Sequence, residues 1–149
     1  MSALARARLV FWTIVAFVVL LIVLAFAIPT ETRQGFDWLT AFVAVYGAAA
    51  AGVVRWVGRR PLRATDASAL AKAYAGRVML CAAIAETPVA IGFAGTLVAG
   101  VPWPALLGGA WGLAALSFVA PTDADLERRQ QELTASGSTL SLREALGAA

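Results

Sequence analysis

LVFWTIVAFVVLLIVLAFAI, residues 9–28, is apolar around every face of a helix. At 1.5 Å per residue this run is about 30 Å long, the thickness of a bilayer's hydrocarbon core. Arg6 and Arg8 stand just before it, and Pro29 with the polar stretch Thr30 to Gly35 ends it, because proline cannot continue helical hydrogen bonding. A secretory signal with Ala25-Phe26-Ala27 as its cleavage site is the rival reading. The run, however, exceeds the roughly 7 to 15 apolar residues of such signals.

Three further apolar blocks follow, at residues 38–57, 78–101 and 105–120. The chain has 149 residues, is 60% hydrophobic and 14% charged, and its mean hydropathy is +0.78. That is well above the roughly 45 to 50% apolar content of soluble domains. The expectation is an all-α integral membrane protein, with four transmembrane helices packed as a bundle over residues 1–121 and a cytoplasmic tail over 122–149.

Charge sets the orientation. Arg59, Arg60, Arg63, Lys72 and Arg77 oppose the single acid Asp66 between helices two and three, so this loop is expected to face the cytoplasm, as are both termini. Trp38 is placed for the outer interface, and Trp56 with Arg55 for the inner one. Pro102-Trp103-Pro104 makes a tight uncharged outer turn. Thr65 or Asp66 can cap a helix that starts before the third apolar block, and Pro121-Thr122-Asp123 stops the fourth and opens an amphipathic tail helix with Leu126 and Leu133 on one stripe. Gly137 is expected to end that helix, and Ser141 with Glu144 fits a capping box.

Composition excludes several functions. Histidine is absent and the methionines are Met1 and Met79, which removes the usual haem and metal ligands, and no cofactor is expected. Cys81 lies in an apolar block and reads as an inert buried thiol. The net charge of +3 is scattered between apolar blocks without a continuous basic face, so nucleic acid is not an expected partner. No nucleophile triad or phosphate-binding glycine loop occurs, and the chain reads as non-enzymatic. Eleven of the 12 basic residues are Arg, and Ala and Gly abound, which points to GC-rich bacterial coding and hence the bacterial inner membrane.

Glu86 is the acidic residue inside a membrane block. An intramembrane carboxyl is a candidate proton or ion site, or else a packing group paired with Arg55 or with a neighbouring helix or subunit. Pro88 lacks the N–H that would reach the carbonyl of Ile84, so it should kink the helix, and Thr87 could satisfy a freed backbone group. Gly47, Ala51, Gly52, Gly92, Gly95, Gly108 and Gly112 form small-residue faces for close helix packing. Arg59, Arg60 and Arg63 could contact anionic lipid or a partner, and topology alone also accounts for them.

The segment Arg77 to Gly100, with Ala85-Glu86-Thr87-Pro88 and Ile91-Gly92-Phe93, resembles the carboxylate-bearing helix of rotary ATP synthase c subunits. Gly47, Gly52 and Gly58, followed by Arg59-Arg60-Pro61, resemble that family's glycine-rich first helix and Arg-Gln-Pro loop. The resemblance implies that Glu86 is a proton-binding carboxylate and Arg59-Arg60-Pro61 a cytoplasmic loop. Arg60 stands where the family has Gln, the loop is longer, and two helices are additional. Small multidrug transporters also have four helices and one glutamate, but theirs lies in the first helix.

The leading expectation is a structural or accessory subunit of a larger membrane complex, or a homo-oligomer, in contact with membrane lipids. The alternative is an oligomeric proton-coupled transporter or ion channel using Glu86.

Overall fold

The computed structural model describes residues 2–27, 38–62 and 64–147. Residues 28–37, with the expected stop at Pro29, and Arg63 lie outside these residues. Every regular element among the described residues is helical: α1 (Ala3–Ala27), α2 (Trp38–Gly58), α3 (Ala67–Ala99), α4 (Trp103–Ser117), α5 (Asp123–Ala135) and α6 (Leu142–Ala145). Three of them, α1, α2 and α3, are long and apolar enough to cross a membrane. The fourth, expected over 105–120, ends three residues earlier and starts two earlier, so that Trp103 and Pro104 of the expected outer turn are its first residues. Its 15 residues rise about 22 Å, less than the roughly 30 Å of a hydrocarbon core.

Local chemistry sets these limits. The Ala5 N–H bonds Ser2 Oγ at 3.2 Å, so α1 begins at Ala3 and carries Arg6 and Arg8 within its first turns. Asp66, in extended conformation, accepts the Ala69 N–H at 2.8 Å and starts α3 well before its apolar block. At the far end Gly100 takes φ 67°, a left-handed conformation suited to glycine, and its N–H reaches the Thr96 carbonyl at 2.9 Å. That cap stops α3 at Ala99, short of Val101. After Ser117 the N–H groups of Phe118 and Val119 bond three residues back, tightening the chain before Pro121. Helix α4 therefore ends before Ala120.

Helix α3 is central, touching α1, α2, α4 and α6, while α1 lies against α3 and α4 without pairing closely with α2. The start of α1, the end of α2 and the start of α3 share one end of the molecule. This basic end carries Arg6, Arg8, Arg59, Arg60, Lys72 and Arg77.

Two buried clusters result. Between α1 and α4, Phe11, Val18, Val54, Cys81, Val89 and Leu116 are among those that interlock. Beneath the basic end, Leu70, Tyr74, Leu126, Leu133, Leu142 and Leu146 gather where α6 packs against α3 and α5 against α6. Leu70, Leu126 and Leu142 are at most 1% exposed, and burying such a side chain from water contributes about 1.5 to 3 kcal/mol.

Candidate functional site

Glu86 lies close to mid-height in the helical array. Its neighbour Thr87 accepts a hydrogen bond from the Tyr46 hydroxyl at 3.2 Å, which levels this part of α3 with Tyr46 of α2. Tyr46 lies 8 residues from Trp38 and 10 from Trp56, and these two tryptophans, each more than half exposed, mark opposite ends of α2. They are separated by about 27 Å of helix. Glu86 itself is half-buried, while Ala83 and Ala90, one turn before and after it, are exposed. The carboxyl therefore sits at the edge of the outward face of α3. Among the described residues it makes no ion pair with any cation.

Arg55 does not meet it. Its guanidinium lies 5.5 Å from the centroid of the Phe118 ring. The physical reason is the antiparallel register of α2 and α3. Pairing Tyr46 with Thr87, and Val54 with Cys81, whose thiol is 4.0 Å from the Val54 carbonyl, leaves Arg55 about two turns nearer the basic end than Glu86.

Pro88 and Thr87 act together. The Thr87 hydroxyl donates to the Ile84 carbonyl at 2.8 Å, the carbonyl that Pro88 leaves without its usual partner. Helix α3 continues on both sides of the proline. The Pro88 carbonyl faces α4, where a Cβ on Gly108 would collide with it, and a Cβ on Gly92 would likewise collide with the Pro104 carbonyl. Gly92 and Gly108 are therefore the crossing point of α3 and α4.

The other small residues divide. Gly47 is covered by the Trp111 side chain, Gly95 meets Pro104 and Leu39, Gly112 meets Val89, and Ala51 is buried in the inter-helix cluster. Gly52 departs from the packing expectation: it is exposed, with nothing within 4 Å of a Cβ built there, because it points away from α3 and α4. Arg59 is exposed, and Arg60 stacks over Trp56 at 3.6 Å from the ring centroid. Arg77 donates to the carbonyls of Arg60 and Pro61, tying the α2–α3 connection to α3.

A second polar group, not anticipated from the sequence, lies under the basic end. Asp125 accepts from Arg129 Nε at 2.7 Å, and Arg129 is 2% exposed. The same guanidinium reaches the Gly58 carbonyl at 3.3 Å, at the negative end of the α2 dipole, and lies 5.7 Å from the Tyr74 ring centroid. Arg8 adds a clasp from α1, donating to the Pro121 carbonyl at 3.0 Å and to Asp123 at 2.8 Å. The signal was present in the spacing: Leu126, Arg129 and Leu133 share one stripe of α5, which places the arginine among leucines.

Among the described residues no three of Cys, Asp and Glu gather into a metal-ligating group. The chain matches no protein-family model, no curated protein and no solved structure. The likeness of residues 47–100 to the c-subunit hairpin is thus a likeness of local pattern and carries no family assignment.

Proposed function

We propose that this chain is a small non-catalytic protein of the bacterial inner membrane, its four helices crossing as a bundle with both termini and the tail in the cytoplasm. In this reading it serves as a structural or accessory subunit, docked against another membrane helix through the outward face of α3. The observation that carries the proposal is Glu86: half-buried at mid-height, without an ion-pair partner among the described residues, and bracketed on the exposed side by Ala83 and Ala90. A carboxyl at that depth needs hydrogen-bonding company, and small side chains beside it let a second backbone come close enough to supply it.

Other features support the membrane placement. Trp12 and Trp56 near the basic end and Trp38 and Trp103 near the other are all more than half exposed, as interfacial anchors are. Leu9, Phe17, Val23 and Phe26 of α1 are exposed along its length, which water would penalise and lipid would not. The basic end suits the positive-inside bias. In this arrangement α4 and the Phe118–Ala120 turn together make the fourth crossing.

A second reading, proton-coupled transport by an oligomer, draws on the Tyr46–Thr87 hydroxyl pair beside the same carboxyl. One experiment separates the two. The tagged protein is extracted in mild detergent, and its companions are identified by size and mass spectrometry for the native chain and for Glu86→Gln. Stoichiometric recovery with another membrane protein, little changed in the variant, supports docking. Recovery as a homo-oligomer, with proton flux in vesicles that Glu86→Gln abolishes, supports transport. Recovery of a lone monomer would sink the docking proposal.

A further inference from the structure

A groove of about 550 Å³ runs between α1 and α3 at the basic end, within the roughly 300 to 1,000 Å³ of ordinary small-molecule sites. Its polar mouth holds Arg6 and Lys72, which stand on the first turns of their helices and are exposed. Neither takes part in an ion pair among the described residues. Neighbouring cations are otherwise occupied: Arg8 with Asp123 and the Pro121 carbonyl, Arg77 with two carbonyls, and Arg129 with Asp125. Below the mouth, Ala7 and Ala75 leave room, and Phe11, Met79 and Ala82 supply apolar walls. From Lys72 to Ala82 the groove follows about 15 Å of helix.

We propose that this groove is a site for one anionic phospholipid, its phosphate held by Arg6 and Lys72 and one acyl chain laid along α3. Charge complementarity selects the occupant. Both cations line the mouth of one groove, which in the proposed placement lies at headgroup depth, and its lining among the described residues contains no Asp or Glu. A zwitterionic lipid would bring an ammonium group into a site with no carboxylate to receive it. A soluble phosphate would leave the apolar walls unfilled.

The site rests on the membrane placement proposed above. Its test is retention of lipid by the full chain in bilayer discs of equal phosphatidylcholine and phosphatidylglycerol, released into a native mass spectrometer. One phosphatidylglycerol should be retained per chain in preference to phosphatidylcholine. Arg6→Gln with Lys72→Gln should cut that retention about tenfold or more, given the attraction each cation exerts on an anionic headgroup. Arg128→Gln with Arg143→Gln removes the same charge from exposed positions of the tail, outside the groove, and should leave retention unchanged. Ala75→Phe, which fills the groove without altering charge, should also abolish it while the helical circular dichroism is preserved. If Ala75→Phe does not fold, the two charge variants, both at exposed side chains, decide the matter. Equal retention of the two lipids, or equal losses in the two charge variants, overturns the site. Discs that incorporate the protein without that preference would leave the membrane placement standing.

Discussion

At the scale of single residues the tightest constraint is the crossing of Gly92 and Gly108. Each faces a backbone carbonyl of the opposing helix, and a carbonyl cannot rotate aside as a flexible side chain can. Gly108→Ala should therefore force α3 and α4 apart, at a cost of about 1 to 3 kcal/mol, seen as a lower midpoint in thermal unfolding in detergent. Gly52→Ala is the matched control. It meets open space and should be neutral or stabilising by up to about 1 kcal/mol through helix propensity alone. If the two variants unfold together, the close crossing is not what holds these helices. Thr87 shows the same economy of placement, since its one hydroxyl receives the Tyr46 proton and gives its own to the carbonyl that Pro88 strands.

At the scale of elements, α5 is held by a buried ion pair as well as by leucines. Arg129→Ala strips Asp125 of one of its two arginine partners, leaving Arg128 on Oδ1 at 2.5 Å, and removes the bond to the Gly58 carbonyl. Leaving a buried charge wholly unpaired costs about 3 to 5 kcal/mol, and the retained Arg128 contact sets the cost here below that. Amide hydrogen exchange across 123–146 should rise sharply in this variant, whereas Arg143→Ala, at an exposed pair with Glu127, should leave it nearly unchanged. Similar exchange in the two would show that apolar contacts alone dock the tail. Much at this scale was legible beforehand. The apolar blocks located the long helices, the cap of α3 was narrowed to Thr65 or Asp66 and is Asp66, Ser141 announced the cap of α6, and the paired leucines of α5 announced its buried face. What could not be read was relative register. Helical spacing says which residues share a face, but only the pairing of α2 with α3 separates Arg55 from Glu86, and only the docking of α5 brings Arg129 against Gly58. The end of α4 falls three residues before the expected Ala120 for a related reason: the apolar run continues through Phe118 and Val119, although the chain there has already tightened toward Pro121.

For the molecule as a whole, the arrangement predicts sidedness. In a Cys81→Ser background, Thr65→Cys and Ser138→Cys should both resist an impermeant thiol reagent added outside intact cells and react once the cells are opened. Trp103→Cys should react from outside. Opposite labelling of Thr65→Cys and Ser138→Cys would place the tail across the membrane from the α2–α3 connection and refute the proposed topology.

The turn between α3 and α4 bears on how such a protein is made. Gly100 closes α3, and the Thr96 hydroxyl accepts the Ala105 N–H at 3.1 Å, so a side chain of one helix satisfies an early backbone donor of the next. Nothing from Gly100 to Pro104 is charged. In the proposed membrane placement the hairpin can thus leave the insertion machinery as a folded pair, with no ionised group and few bare amides at the tip that crosses the bilayer. In the proposed topology the basic residues that precede it need never leave the compartment of the ribosome.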